Sequence, residues 1–439
     1  MDALARPLAL PCGAVLPNRF AKSAMTEGLA DGNDRATERH QTLYRRWSEG
    51  GVGLSITGNV QIDRRYLERP GNVVYDDNGG LEELRSWADA GTRGGGHLWM
   101  QISHPGRQCT RMSSSHPVSA SAVKMHGMIG LMAPPRALEA GEIRDIIRRF
   151  AYVAKAAKDS GFTGVQVHSA HGYLLSQFLS PRTNQRTDEW GGPLEDRSRL
   201  LREIVAAVRQ SVGPEFPIGV KLNSADFQKG GFTNEESAQV ARWLAVLGID
   251  LLEISGGNYE QMAVIGRLDP DEVKKRESTR RREAYFLEYA RLIRDAAPEL
   301  PLMVTGGFRS VAPMRAAVES GEVDVVGIAR PFCVMPDLPS RILSGDVEQL
   351  PAPEKDIRLG PGLLSSTSPV HSVRTLNGQA ELAWFYHQII ELSEGREPDL
   401  ALGTWSALFA HFGRELGLAR RRTFRRSAGA LPASTGSQV

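Results

Sequence analysis

The sequence predicts an α/β protein built as one (β/α)8 (TIM) barrel, with an N-terminal hairpin and a C-terminal helical extension. Three observations carry this. Eight short β-rich runs are continuously apolar rather than alternating, as strands covered on both faces are. Amphipathic stretches with helical periodicity separate them. The runs start about 44 residues apart from residue 19 to residue 324, a spacing that suits β–α units of a barrel. An open doubly wound sheet is the alternative, and eight units would make it unusually wide.

The strands fall at residues 19–25, 52–58, 97–103, 164–168, 217–222, 250–254, 301–305 and 324–328. Between them, Ile143, Ile146, Ile147 and Phe150 repeat at i, i+3, i+4 and i+7, as do Leu201, Ile204, Val205 and Val208 after Pro193. Ala241, Leu244 and Leu247 continue the pattern one unit later. Residues 8–18 carry the turn residues Pro11, Cys12 and Gly13 and read as a hairpin closing the barrel floor. The barrel domain is expected over 1–350 and the extension over 351–439. Within the extension, 358–368 is rich in Gly, Ser and Pro and reads as loop, while 381–392 and 404–416 read as helices. The basic run Arg420–Arg426 reads as a solvated tail.

Composition narrows the function classes. Of 439 residues, 41% are hydrophobic and 24% charged, an ordinary globular balance. A net charge of +2 argues against nucleic acid as a partner. Cys12, Cys109 and Cys333 lie far apart, so no disulfide framework, structural zinc or cysteine-ligated iron–sulfur cluster is expected. No run is long and apolar enough for a membrane span, and residues 1–13 lack the apolar core of a signal peptide. A cytoplasmic protein is expected, and homo-oligomerisation stays open. The 45 glycines exceed the usual share, which implies tight turns or close backbone approaches.

In a barrel, chemistry sits where strands end. The seventh run ends in Gly306 and Gly307 and the eighth in Ala329 and Arg330. Backbone N–H groups at glycine plus a guanidinium at this place suit a phosphate. His168 and His171 follow the fourth run, with Tyr173 just beyond. Two such imidazoles can ligate a metal or donate to one oxyanion. A metal would want further ligands at other strand ends, and only Asp226 and Glu253 are near, so no metal is expected. Lys221 offers a cation, Gln101 a donor and an acceptor, and Thr26 a hydroxyl, a set that suits a flavin. The Gly-rich pyridine-dinucleotide and P-loop motifs are absent.

Five segments resemble a known family: LPNRFAKSAMT (16–26), QISHPGR (101–107), VHSAHGYLLSQFLSPRTNQRTDEWGGPLEDR (167–197), VTGGF (304–308) and VGIARPF (326–332). The chain resembles the FMN-dependent Old Yellow Enzymes of the NADH:flavin oxidoreductase / NADH oxidase group. The likeness spans about residues 5–345, and 355–398 resembles one bacterial branch. It implies that Ser23, Ala24, Met25 and Thr26 line the flavin ring. It implies that Thr26, where relatives carry Thr or Cys, tunes the ring through O4. Gly58 and Gln101 would contact the pyrimidine part, and Lys221, where Arg is commoner, would lie near N1 and O2. Gly306, Gly307, Ala329 and Arg330 would hold the phosphate.

The activity implied is ping-pong reduction of an α,β-unsaturated carbonyl compound. NADPH or NADH reduces FMN and leaves. His168 and His171 then bind the acceptor's carbonyl oxygen, hydride goes to Cβ, and Tyr173 protonates Cα. An NAD(P)H oxidase, or a flavin-dependent dehydrogenase or desaturase, would share the same FMN residues. A non-redox binding or scaffold protein is the third reading, and the intact Gln101, His168, His171, Tyr173 and Arg330 speak against it. Trp190 stands where relatives often carry Tyr. The acceptor's shape would be read by loops such as 30–36 and 112–135.

Overall fold

The computed structural model describes residues 2–125, 132–255 and 289–427. Eight parallel strands occupy the expected runs: β1 (Phe20–Lys22), β2 (Leu54–Ile56), β3 (His97–Ser103), β4 (Gly164–Ser169), β5 (Ile218–Asn223), β6 (Leu251–Ser255), β7 (Leu302–Thr305) and β8 (Val325–Ile328). Each pairs with the next, and β8 pairs with β1, so the sheet closes. Closure leaves no strand edge exposed, which is why continuously apolar runs are tolerated.

The helices lie outside. They include α1 (Glu38–Glu49), α2 (Leu81–Thr92), α3 (Ala140–Asp159), the short α4 (Leu174–Leu179), α5 (Arg199–Val212) and α6 (Asn234–Val246). Residues 289–296 are helical too, and α7 (Val311–Glu319) and α8 (Leu338–Ser344) complete the ring. The periodic residues Ile143, Ile146 and Phe150 of α3 and Leu201, Ile204, Val205 and Val208 of α5 are buried. Pro193 sits one step earlier than expected, capping a four-residue turn, Leu194–Arg197, ahead of α5. Helix α6 starts with a capping box: Thr233 Oγ1 accepts from Glu236 N, and Glu236 Oε2 accepts from Thr233 N.

The expected hairpin is present, with Leu8–Ala9 antiparallel to Val15–Leu16. Its Leu10 and Leu16 join Ala21, Leu54, Ile56, Trp99, Leu251, Met303 and Val325 in one apolar cluster. That cluster is the barrel floor. The Trp99 indole, fully buried, is its largest side chain. Gly164 and Gly219 make room on the neighbouring strands: a Cβ there would fall 2.4 and 2.9 Å from the indole. Here the glycine excess has a packing cause.

The extension forms α9 (His371–Ser393) and α10 (Thr404–Ser427), which pack on each other, with α9 also against α1. One expectation fails here. The basic run Arg420–Arg426 is no loose tail but the last turns of α10; Arg420 and Arg421 are exposed as expected, and Arg422 is not. Arg422 is buried; its guanidinium binds both carboxylate oxygens of Asp34 at 3.0 and 3.1 Å and donates to the carbonyls of Ser113 and Arg64. A buried charge is tolerable when paired and hydrogen-bonded in this way. Gly256 and Gly257, expected at the end of β6, lie outside the described residues, as does part of the 112–135 loop.

Candidate active site

Inward-facing residues change from apolar to polar at the C-terminal ends of the strands. Register places His168 beside Lys221, and Lys221 beside Glu253, on β4, β5 and β6. Glu253 is the hub. Lys221 Nζ lies 2.8 Å from its Oε1, Thr305 Oγ1 donates to Oε1 at 2.6 Å, and Gln166 Nε2 donates to Oε2 at 2.7 Å. Thr305 has one proton and gives it to Glu253, so at 2.8 Å it accepts from Ser23 Oγ. Gln101 Nε2 donates to Gln166 Oε1 at 2.7 Å. Ser23, Gln101 and Lys221 are thus brought together as expected. Gln166 and Thr305, which join them, were not singled out from the sequence, and Glu253 was weighed there only as a metal ligand.

The imidazoles stand next to this layer. His168 and His171 have ring centroids 5.3 Å apart and perpendicular planes, and the Tyr173 ring lies 4.7 Å from His168. Burial pushes both histidines well below the ordinary pKa; for His168 the neighbouring His171 and Lys221 add to this, and for His171 Lys221 does. Both are therefore neutral at pH 7. His168 Nδ1 accepts from Ala170 N at 3.2 Å, which places the proton on Nε2 and makes that nitrogen a donor. His171 has a left-handed backbone, φ 59°, which Asn223 Oδ1 supports by accepting from its N–H at 3.1 Å. Its Nε2 meets Ser255 Oγ at 2.7 Å. Tyr173 caps α4, is buried, and accepts from Asn59 Nδ2 at 3.4 Å.

The other expected residues have specific places. Ala24, Met25 and Thr26 are half-buried just beyond β1. Thr26 Oγ1 donates to Glu68 Oε2 at 3.1 Å, so its hydroxyl presents lone pairs to anything else. Asn59 Nδ2 reaches the same oxygen at 2.9 Å. The Gly58 N–H is held by Glu27 Oε1 at 2.9 Å and meets Tyr44 Oη at 3.2 Å. Tyr44 in turn donates to Glu27. Beneath them the buried Lys22 ammonium lies over Tyr44 and Trp47, 4.8 and 4.5 Å from the ring centroids. Burial lowers its pKa to about 8, against the pull of Glu27. Gly306 and Gly307 both take positive φ, 92° and 89°, which favours glycine. A Cβ at Gly306 would meet nothing within 4 Å, so the turn borders open space. Ala329 precedes the one-turn helix Arg330–Cys333. Arg330 Nη1 pairs with Glu381 Oε1 of α9 at 2.7 Å. The sequence offered no sign of that partner.

A family model described as the NADH:flavin oxidoreductase / NADH oxidase family matches residues 4–349. The chain belongs to that family. It is 36% identical over 355 residues to the NADH-dependent flavin oxidoreductase iliE of Hypocrea jecorina (strain QM6a), covering 77% of this chain and 88% of the relative. It superposes on morphinone reductase in complex with tetrahydroNAD with a TM-score of 0.65 at 26% identity, over 80% of this chain and 93% of that one. With the old yellow enzyme homologue from Zymomonas mobilis the TM-score is 0.66 at 25% identity, over 84% and 99%. Of Old Yellow Enzyme type, the family member described here uses FMN, with NADH as hydride donor.

The residues present fit that cofactor. A planar ring with polar edges suits the Gln101, Lys221 and Ser23 layer, and a phosphate suits a glycine pair beside open space with an arginine on the adjacent strand end. Among the described residues no helix is long and apolar enough to cross a membrane.

Proposed function

We propose that the chain reduces the C=C bond of α,β-unsaturated carbonyl compounds, with NADH or NADPH and the acceptor using the same space in turn, in ping-pong order. The observation that carries this reading is the buried, neutral His168–His171 pair with Tyr173 against one edge. FMN would be held along its ring by Ser23, Ala24, Met25, Thr26, Gly58, Gln101 and Lys221, and at its phosphate by Gly306, Gly307, Ala329 and Arg330. Bound FMN supplies the hydride that reaches Cβ of the acceptor, having received it from the nicotinamide.

The histidines bind the acceptor's carbonyl oxygen. His168 donates from Nε2 without needing a charge, so the interaction does not lapse as pH rises through 7. Negative charge that develops on that oxygen is met by donors held in a buried site, where each counts for more than in solution. Tyr173 gives its proton to Cα. A phenol O–H is a proton donor, and the buried hydroxyl stands beside His168. Asn59, donating to the phenol oxygen, holds it in place.

Anaerobic titration tests the reading. The purified protein is expected to be yellow, to bleach with NADH, and to regain its colour with cyclohexenone. Colourless protein that takes up no FMN would refute the cofactor site. Bleached protein that enones and quinones leave reduced, but oxygen reoxidises, would favour an oxidase instead.

A further inference from the structure

We propose that α10 is the interface of a homodimer. Its inner face is committed to its own chain: Ala407, Leu408, Glu415, Ala419 and Arg422 are buried. Its outer face is not polar, as a solvated helix face would be. Trp405, Phe409, Phe412 and Leu416 are 45, 69, 41 and 43% exposed. They recur at intervals of four, three and four residues, the spacing of a seam that packs against another helix. The small residues Ala410 and Gly413 lie on the same exposed face, and a Cβ on Gly413 would meet nothing within 4 Å. Large side chains next to small ones provide both knobs and the space to receive them.

Area and charge identify the occupant as a second copy. Scaled from roughly 150–250 Å² for a large side chain, the four expose on the order of 300–500 Å² of largely apolar surface. A standard interface of about 800 Å² per partner is a little over half apolar, so one such half contains about that much. The face is also self-complementary. From Trp405 to Leu416 its outward residues carry no charge, because Arg414 turns in to donate to the Gly28 carbonyl and Glu415 turns in towards Arg69. Two copies can therefore meet about a twofold axis without opposing like charges. The seam is rigid before it binds: Trp405 Nε1 donates to the Leu359 carbonyl at 3.0 Å, and the Trp405 and Phe409 rings are 6.1 Å apart and nearly parallel.

Sedimentation velocity on the full-length, FMN-loaded chain tests this. At micromolar concentration the mass expected is twice 48.0 kDa. Phe409→Glu combined with Leu416→Glu should give monomers with flavin content and enone turnover unchanged, because neither residue belongs to the redox site. Ala410→Cys, which leaves the seam intact, should form a covalent dimer on mild oxidation. A wild-type monomer at 100 μM, a double variant that stays dimeric, or an Ala410→Cys chain that does not cross-link would each overturn the proposal. A wild-type monomer that instead floats with phosphatidylglycerol vesicles would assign the face to a lipid surface.

Discussion

At the floor of the barrel stand Ala21, Ile56, Trp99, Leu251, Met303 and Val325, all inward-facing and apolar. Two residues further along the same strands stand Ser23, Gly58, Gln101, Glu253, Thr305 and Gly327. The step of two keeps the side of the sheet and moves one layer towards the mouth. The floor is closed by one indole and the two glycines that make room for it. The mouth is closed by hydrogen bonds centred on Glu253. A single set of strands therefore holds a dry layer that resists collapse and a wired polar layer that holds its donors in fixed directions. Burial is common to both, so burial alone does not mark the site.

This contrast separates the effects of mutation. The largest effect expected on stability is at the floor. Trp99→Ala should cost about 3–5 kcal/mol in urea unfolding, by leaving a cavity that rigid strands cannot close. Turnover per FMN-bound molecule should hardly change. A variant with intact stability and lost turnover would break the division between floor and mouth. At the mouth, Tyr173→Phe should leave unfolding almost unaltered and slow reoxidation by enone about 100-fold in stopped flow, in the range of a lost general acid. Flavin reduction by NADH should slow far less. Equal slowing of both phases would show that Tyr173 shapes the pocket rather than delivering a proton.

Acid should expose the buried histidines. Burial lowers His40 to about 3 and His104 to about 4, and holds His168 and His171 well below the ordinary value. On unfolding each takes up a proton at any pH between its native pKa and 6.5, so stability falls as pH drops through that window. Each contributes a slope of up to about 1.4 kcal/mol per pH unit. His168→Gln should reduce the slope of stability against pH between 6 and 4.5; an unchanged slope would mean that His168 is charged in the native protein. The smallest effect belongs to Glu68. Glu68→Gln keeps an oxygen that can accept from Thr26 and Asn59 but removes the carboxylate charge next to the proposed ring site, so the midpoint potential of bound flavin should rise, with turnover changed less than tenfold. An unmoved potential would place Glu68 outside the influence of the flavin.

The eight strands were legible because each lies within one apolar run, and local periodicity records which side chains face in. His168, His171 and Tyr173 were legible because they fall in one short segment at a strand end. Glu253 was not, since a carboxylate inside an apolar strand has meaning only once Lys221, Gln166 and Thr305 surround it, and barrel closure brings them there. The step from Leu251 to Glu253 was the available sign. Arg422 was hidden for the same reason. Its partner, Asp34, lies 388 residues away in the chain, so a basic run read by itself resembles a tail. Thr26 was found but not its partner, which sits on a loop without any periodic pattern.

The central claim is that the mouth layer positions an acceptor over bound flavin through two neutral imidazoles. It is tested most directly by anaerobic stopped-flow on the His168→Ala, His171→Ala double variant. The prediction is full FMN content, bleaching by NADH close to the wild-type rate, and reoxidation by cyclohexenone slowed by about 1,000-fold or more. Reoxidation at the wild-type rate in a fully flavinated variant would contradict it.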